Sequence, residues 1–303
     1  MHKSTISSVA DLSRHEMAGI LELAAMEKQL FSEFSDAAKG MILGLLFFQP
    51  STRNRLSFGS SFLRLGGNTV GFSSLEESRS GETAREGMED LARVVSSFCD
   101  FAAMRTPDEA QFLDFANAAE VPVVSAGHGR LEHPTAGMTH LYMLTRLLGS
   151  LDGLRILAFD HSPTRTTNSI ILALATWTRV HVDVVSSTAP SKWLVQRCEH
   201  LGTVLRHYPR FEEVEDSQTL KEYHAILFDF VGAAKGILDG EFRLTKETIK
   251  RFDPEVAVLH PLPRDERLAA EIDDLPNARY FEVVKHANYV RAAIFIKRLV
   301  QIS

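Results

Sequence analysis

The segment whose residue types are best suited to binding or catalysis is Ser51–Arg55, which reads Ser-Thr-Arg-Asn-Arg. Pro50 ends an apolar run directly before it, so we predict a strand, a turn and a helix that begins just after Ser51. A helix start binds anions because its first N–H groups lack partners within the helix and lie at the positive end of its dipole. The hydroxyls of Ser51 and Thr52 add donors, and the planar guanidinium of Arg53 fits phosphate oxygens. The segment therefore predicts a phosphate site, although a capped helix with solvated arginines has the same short pattern.

Short apolar runs alternate with amphipathic stretches along the chain, which is typical of parallel strands joined by crossover helices. The runs predict strands at Met41–Phe48, Thr69–Phe72, Phe101–Met104, Val121–Ser125, Arg155–Phe159, Val180–Val185, Ala225–Phe230 and Val256–Leu259. The amphipathic stretches predict helices at Arg53–Leu65, Gly87–Phe98, Asp108–Ala118, Met138–Leu148, Thr164–Thr176 and Ala287–Val300. The sequence thus predicts an α/β protein.

A length of 303 residues suits two domains. The turn-rich stretch Gly149–Gly153 marks the predicted boundary, giving domains of residues 1–149 and 150–286. We expect each domain to contain a parallel sheet flanked by helices, and the closing helix 287–300 to pack back on the first domain. Ligands of such sheets usually bind in a cleft, which we expect between the two domains.

Composition excludes several classes of function. With 45% hydrophobic and 24% charged residues, the chain has an ordinary globular balance. The formal net charge of −6 gives no electrostatic reason to expect nucleic acid or an acidic membrane as a partner. Met1–Ala10 contains no long apolar run, which predicts neither a signal peptide nor a membrane anchor. We therefore expect a cytoplasmic protein with no nucleic-acid or membrane partner.

No metal, nucleotide or other cofactor is predicted. Cys99 and Cys198 lie far apart in mostly apolar stretches, which indicates reduced structural thiols rather than a disulfide or a zinc site. The 12 histidines are scattered without the spacing of metal ligands. The glycines of Leu65–Gly67 and Gly127–Gly129 lack the spacing of a dinucleotide fingerprint or a Walker loop.

Ordered blocks along most of the chain resemble the aspartate/ornithine carbamoyltransferase family. Ser51–Arg55 resembles the family's Ser-Thr-Arg-Thr-Arg segment. Further blocks follow in the family's order at Leu65–Asn68, Gly71–Ser73, Met104–Pro107, Ala126–Gly129, His133–Thr135 and His260–Arg264. The last of these begins His-Pro-Leu-Pro, the aspartate-type form. Because the resemblance extends from about Phe47 to Arg291, it implies the carbamoyltransferase fold.

The resemblance implies that carbamoyl phosphate binds first and that an amine then attacks its carbonyl carbon. It assigns phosphate binding to Ser51, Thr52, Arg53, Asn54 and Arg105. It assigns carbamoyl binding to Thr52, His133 and the backbone carbonyls of Leu262 and Pro263. Stabilisation of the developing oxyanion and the leaving phosphate, which is the catalytic role, falls to Arg53, Arg105 and His133.

The resemblance also implies an amino-acid-like acceptor and a homotrimer whose active sites are shared between subunits. Its acceptor-binding residues are Arg165, Asp229 and Leu262. Arg165 would bind the acceptor's α-carboxylate, or would simply be a surface arginine near a helix start. Asp229 is a candidate to hold the acceptor's amine, because ornithine-specific members use an aspartate in this part of the chain.

Several ligand-facing positions depart from the family pattern. Asn54 replaces a threonine, and its amide can still donate to phosphate. Ala136 replaces the glutamine of His-Pro-x-Gln, which removes a hydrogen bond to the carbamoyl amino group worth on the order of 1 kcal/mol. Val231 and Ala233 fall where aspartate-specific members have an arginine and a glutamine. The acceptor pocket therefore matches neither relative.

The family's mobile loop supplies a lysine to a neighbouring subunit's active site. Here that position falls on Ser80, or on Ala84 if the gap is placed earlier. Arg79 or Arg85 could supply the positive charge, although an arginine fork differs from a lysine point charge. The alternative is that these arginines only decorate an exposed acidic loop.

Three functions are consistent with this pattern. The first is a transferase that moves a carbamoyl or related acyl group to an acceptor other than plain aspartate. The second is a catalytically weak or silent relative that acts as a binding or structural partner, which the missing lysine and glutamine favour. The third is different chemistry, elimination or hydrolysis, in the same anion cleft.

Overall fold

The computed structural model describes residues 4–74, 86–160, 164–217, 220–229 and 242–302. Their strands form two parallel sheets flanked by helices, which confirms the predicted α/β class. Spatial proximity along the backbone divides the chain into two units, residues 1–142 with 286–303 and residues 143–285. In the described ranges, no helix has both the length and the apolarity needed to cross a membrane.

The first unit contains a four-stranded sheet in the order β2-β1-β3-β4, with every pair parallel. Its strands are β1 Ile42–Phe47, β2 Asn68–Phe72, β3 Phe101–Thr106 and β4 Val123–His128. The helices here are α1 Arg14–Ala25, α2 Lys28–Glu33, α3 Thr52–Arg64, α4 Met88–Phe98, α5 Glu109–Ala118 and α6 Pro134–Leu148, the last of which continues into the second unit. A parallel sheet covered by helices buries both faces, which explains why β1 and β4 are almost continuously buried.

The carboxyl ends of β1 and β3 lie side by side in this sheet. Phe47 of β1 is paired with Arg105 of β3, and Phe48 N–H donates to the Arg105 carbonyl oxygen at 2.8 Å. Strand β2 approaches β1 closely at Gly71, where φ is +134° and a Cβ would lie 2.2 Å from the Leu45 carbonyl oxygen. Only glycine fits there. The loop from β1 to α3 therefore leaves a firmly paired strand at the sheet edge where ligands of such sheets bind.

The second unit contains a five-stranded parallel sheet in the order β7-β6-β5-β8-β9. Its strands are β5 Arg155–Asp160, β6 His181–Val185, β7 Val204–Tyr208, β8 Ala225–Asp229 and β9 Ala257–Leu259. The remaining helices are α7 Arg165–Trp177, α8 Lys192–His200, α9 Phe211–Ser217, α10 Lys246–Ile249 and α11 Tyr280–Ile302, which ends in the first unit. The core of the second unit is rich in aromatic rings, and Phe159 stacks on Phe242 with ring centres 4.3 Å apart.

The predicted strands are all present, and the differences between the predicted and the observed elements have physical causes. The sequence predicts no strand at β7, because Arg206 and His207 interrupt its apolar pattern on a half-exposed edge. Helix α6 begins at Pro134 rather than Met138, since proline fits the first turn of a helix. The strand predicted at Ala225–Phe230 ends at a residue outside the described ranges.

Two buried carboxylates meet where β5 and β8 end. Asp160 and Asp229 are paired in register. Thr167 Oγ1 lies 2.6 Å from Asp160 Oδ2 and 3.1 Å from Asp229 Oδ2, while Thr164 Oγ1 donates to Asp229 Oδ2 at 2.7 Å. The Thr167 hydroxyl therefore lies within donor distance of both carboxylates and is closer to Asp160. Burial raises the pKa of Asp229 against the opposing effect of the threonine hydrogen bonds.

We predict that Asp229→Asn stabilises the protein more at about pH 8 than at about pH 5.5. The folded-state pKa of Asp229 is raised above its unfolded value, so its contribution to stability is complete below about pH 3.9 and is lost as the pH rises. Asparagine has no proton to lose, so its advantage in free energy of unfolding should grow as the pH rises. Urea unfolding at both pH values measures the difference.

The matched control is Asp183→Asn, which alters another buried carboxylate of the same sheet. Asp183 accepts a hydrogen bond from the Tyr223 hydroxyl at 2.6 Å and lies 3.6 Å from Arg155. Its loss should lower stability at both pH values. If Asp229→Asn loses stability relative to the wild type as the pH rises, the raised pKa of Asp229 is wrong.

Candidate active site

Helix α3 begins at Thr52, and Ser51 precedes it in an extended conformation. Within the described part of the chain, the Ser51 side chain makes no capping hydrogen bond. Arg55 N–H donates to the Ser51 carbonyl oxygen at 3.1 Å, so the N–H groups of Thr52, Arg53 and Asn54 precede the helical ladder. Arg53 is half-buried, and burial lowers the pKa of its guanidinium. This geometry is that of a helix start able to bind an anion.

The carbonyl oxygen of Ala126 accepts hydrogen bonds from two of the predicted site residues. Arg105 Nη1 donates to it at 3.1 Å, and Asn54 Nδ2 donates at 3.2 Å. Ala126 belongs to β4, next to β3, and Gly127 follows it with a φ of +103°. One backbone acceptor therefore holds side chains from β3 and α3 together at the ends of neighbouring strands.

Asn54 links this acceptor to His133. Its Nδ2 lies 2.9 Å from His133 Nε2, and its Oδ1 accepts a hydrogen bond from Arg291 Nη2 at 2.7 Å. All three side chains are buried. On the other side of the ring, His133 Nδ1 lies 3.5 Å from Thr135 Oγ1. Both polar atoms of the Asn54 side chain are thus used inside the protein, which leaves its backbone N–H as the group suited to phosphate.

Arg291 is a residue of this cluster that sequence reasoning missed. It lies in α11, donates to Ser57 Oγ, and its guanidinium carbon is 4.6 Å from the centre of the Phe58 ring. Burial lowers its pKa to about 9, so it remains charged at neutral pH. The available signal was a lone arginine among Val290 and the apolar residues that follow it. Such a burial is costly unless the charge is satisfied.

In the second unit, Arg165 is the first residue of α7 and is half-buried. Burial lowers the pKa of its guanidinium. Thr164 caps the helix by accepting from Thr167 N–H at 3.3 Å, and the same hydroxyl donates to Asp229. The structure therefore brings the start of the Arg165 helix next to Asp229. The hydroxyls of Thr164 and Thr167, which the sequence analysis did not single out, make the hydrogen bonds between them.

Leu262 and Pro263 follow β9 in a fixed backbone turn. Leu262 has a φ of +54°, a left-handed value that costs a leucine on the order of 1 kcal/mol or more. Its N–H donates to His260 Nδ1 at 2.7 Å, and His260 is buried. The peptide bond between Leu262 and Pro263 is cis. The backbone that was assigned to carbamoyl recognition is therefore held by a buried side chain.

Other predicted features fall outside the described ranges. They are the loop positions Arg79, Ser80, Ala84 and Arg85, and the acceptor positions Val231 and Ala233. Where the structure does describe the chain, no cluster of three or more histidine, cysteine or acidic side chains could hold a metal ion. Ala136 is described, and it lies in the first turn of α6 with its carbonyl oxygen 2.9 Å from His140 Nδ1.

Known protein structures share this fold over nearly the whole chain. The catalytic subunit of M. jannaschii aspartate transcarbamoylase has a TM-score of 0.85 at 26% identity, covering 98% of both chains. The Trypanosoma cruzi aspartate transcarbamoylase solved with carbamoyl phosphate and aspartate has a TM-score of 0.84 at 24% identity, covering 96% of this chain and 95% of that chain. At this identity, the second likeness is one of fold.

Sequence comparisons give the family. The aspartate carbamoyltransferase catalytic subunit of Finegoldia magna is 35% identical over 300 residues, and that of Methanopyrus kandleri is 32% identical over 296, each covering 95% of both chains. Residues 4–146 match the carbamoyl-P binding domain of the aspartate/ornithine carbamoyltransferases, and residues 153–297 match their Asp/Orn binding domain. The chain belongs to the aspartate/ornithine carbamoyltransferase family.

Proposed function

We propose that this protein transfers a carbamoyl group from carbamoyl phosphate to the amine of an amino-acid-like acceptor. The observation that carries the proposal is the cluster at the Ala126 carbonyl oxygen, which holds Arg105 directly and His133 through Asn54. The cluster lies in the part of the chain that matches the carbamoyl-P binding domain. In this proposal residues 1–149 with helix 287–300 bind carbamoyl phosphate, and residues 150–286 bind the acceptor.

The phosphate would be bound at the start of α3. The N–H groups ahead of the helical ladder, the hydroxyls of Ser51 and Thr52, and the guanidinium groups of Arg53 and Arg105 would surround it. Asn54 would contribute its backbone N–H, because its side chain is used by Ala126, His133 and Arg291. Fixed donors and positive charge at this place stabilise the phosphate as it leaves.

The carbonyl oxygen of the substrate would accept hydrogen bonds from Arg105, His133 and Thr52. When the amine attacks the carbonyl carbon, an electron pair moves onto this oxygen, and these donors stabilise the negative charge. The intermediate then expels phosphate, which takes the proton lost by the nitrogen, leaving a carbamoylated amine. Donors set in place before the reaction lower the barrier most, because they need no rearrangement as charge develops.

The carbamoyl amino group would donate to the carbonyl oxygens of Leu262 and Pro263. Ala136 offers no amide here, so these backbone acceptors would carry the recognition of that group. The hydrogen bond from Leu262 N–H to His260 supports this role, because it fixes the turn that presents the carbonyls.

Arg165 would bind the α-carboxylate of the acceptor. Asp229 and Leu262, the other acceptor-binding positions implied by the family resemblance, would contact the rest of it. Burial raises the pKa of Asp229 and so disfavours its charged form. The named relatives act on aspartate, yet Val231 and Ala233 offer no cation for a second carboxylate. We therefore propose an acceptor with one carboxylate and a neutral remainder.

We predict that Arg53→Ala abolishes most of the stabilisation that carbamoyl phosphate and inorganic phosphate give the wild type. A ligand at about 100 times its Kd stabilises a protein by about 2.7 kcal/mol, which is a clear rise in Tm. The matched control is Arg55→Ala, which removes the same charge from an exposed position on the same helix and should keep the shift.

The thermal-shift experiment also separates the competing functions. A silent relative with a dead site gives no shift with either ligand, and different chemistry in the anion cleft gives a shift with phosphate alone. Unchanged binding of carbamoyl phosphate by Arg53→Ala would remove Arg53 from the site.

We predict a homotrimer in solution, with active sites shared between subunits. In support, α3 and the edge strand β2 expose apolar side chains: Leu56 is 66% exposed, Leu63 53% and Val70 50%. Surfaces of this kind often mark contacts between proteins. Light scattering at micromolar concentration measures the mass, and a monomer would make a shared active site impossible.

We predict poor turnover of L-aspartate compared with neutral amino acids. An unpaired carboxylate in a closed site costs several kcal/mol, more than one hydrogen bond contributes. Steady-state kinetics with L-aspartate and a set of neutral amino acids measure the difference in kcat/KM. Efficient use of aspartate, with a KM of about 1 mM or below, would show that Lys235 or Arg264 supplies the missing charge or that the positions of Val231 and Ala233 are misassigned.

A further inference from the structure

We propose that Arg291 is a positioning residue that acts through Asn54 to fix His133 as a neutral imidazole with its proton on Nδ1. The tautomer is a property of the protein alone, and only its catalytic consequence rests on the proposed carbamoyl transfer. It is set by which atoms can donate and which can accept in one buried row of side chains.

Two neighbours, Arg291 and the Ala126 carbonyl oxygen, independently determine the orientation of the Asn54 amide. A guanidinium has only donors, so the atom 2.7 Å from Arg291 Nη2 must be the amide oxygen. A backbone carbonyl has only acceptors, so the atom 3.2 Å from the Ala126 oxygen must be the amide nitrogen. The two requirements agree, and they leave the NH₂ group of Asn54 as the group facing His133.

The tautomer of His133 follows from this orientation. The Asn54 nitrogen lies 2.9 Å from His133 Nε2, so Nε2 must be the acceptor and cannot carry a proton. The proton of the neutral ring is then on Nδ1, which faces Thr135 Oγ1 at 3.5 Å. A doubly protonated ring would set an N–H group against the Asn54 NH₂ group, close to the buried charge of Arg291.

Arg291 is unusual in lacking an acidic partner. Among the residues that the structure describes, no carboxylate forms an ion pair with it, and its acceptors are the neutral Ser57 hydroxyl and Asn54 amide. The face of the Phe58 ring supplies a cation–π contact at 4.6 Å. A buried charge is expensive to keep without an opposite charge, which indicates a role beyond packing. That role would be to orient Asn54 and to add positive potential behind the anion site.

The tautomer of His133 determines whether its ring can donate or accept a proton during the reaction. With Nε2 committed as an acceptor, the ring can only donate, from Nδ1, and it cannot take a proton through Nε2 from the attacking amine. His133 would therefore stabilise the developing oxyanion as a neutral donor.

Arg298 provides a matched control. It lies seven residues further along α11, and its side chain is as buried as that of Arg291, at 4% exposure. It pairs with Glu16 at 2.9 Å instead of reaching Asn54. Removing Arg298 should therefore cost stability without altering His133.

The test is the imidazole ¹⁵N spectrum of the full-length protein labelled with [¹⁵N]histidine, with His133 assigned by the loss of its signals in His133→Gln. We expect a protonated Nδ1 and an unprotonated Nε2 in the wild type and in Arg298→Met. In Arg291→Met, the ¹⁵N chemical shifts of both His133 ring nitrogens should move toward values averaged between the two tautomers. Arg291→Lys keeps a donor and should restore the wild-type chemical shifts. Asn54→Asp should reverse the tautomer, because a carboxylate can only accept.

The proposal is overturned if the wild type carries its proton on Nε2, or if Arg291→Met leaves the His133 signals unchanged. If Arg291→Met does not fold, Asn54→Asp and Arg291→Lys still decide the question. In a turnover assay, Arg291→Met should lower kcat by up to about a hundredfold, the lower end of the effect of losing an oxyanion donor, because Arg291 acts only through Asn54. Because the spectrum needs no substrate, failure of carbamoyl transfer would leave this test intact.

Discussion

The polarity of one carboxamide constrains the first unit of this protein. The Asn54 side chain has an accepting end and a donating end, and both are buried. The accepting end is held by Arg291, while the donating end is shared by the Ala126 carbonyl oxygen and His133. Since Arg291 can only donate and the Ala126 carbonyl can only accept, the amide has one satisfactory orientation, and the tautomer of His133 follows from it. Helices α3 and α11, strand β4 and the residue that precedes α6 are thereby joined at one point.

This arrangement depends on the sheet that lies beneath it. Because β1, β3 and β4 are parallel, their carboxyl ends meet on one edge, where the α3 start and the side chains of Arg105 and His133 converge. The close approach of β2 at Gly71 and the backbone bond from Phe48 to Arg105 hold that edge in place. Apolar burial in the sheet therefore fixes the position of polar groups that would be costly to bury unpaired.

The local part of this organisation could be predicted from the sequence. An apolar run that stops before Pro50, followed by a helix after Ser51, is a short-range pattern, and α3 does begin at Thr52. Strand β7 was not predicted, because tertiary pairing rather than its own mixed sequence makes it a strand.

The partners of Asn54 could not be predicted, because they are 72, 79 and 237 residues away in the chain. The role of Asn54 was consequently assigned to phosphate through its side chain, whereas the structure directs that side chain inward. The pairing of Asp160 with Asp229 was missed for the same reason: only the order of strands in the sheet makes them neighbours.

Membership of the carbamoyltransferase family and the sequence departures at Asn54, Ala136 and Ser80 bear on different properties. Family membership concerns the fold, whereas the departures bear on how the proposed substrates are bound. Carbamoyl transfer is tested most directly by incubation with carbamoyl phosphate labelled at the carbonyl carbon and a panel of amino acids and amines. We expect release of phosphate together with a labelled amine that is heavier by one carbamoyl group. Phosphate release with no labelled amine, or no consumption of carbamoyl phosphate with any member of the panel, would contradict it.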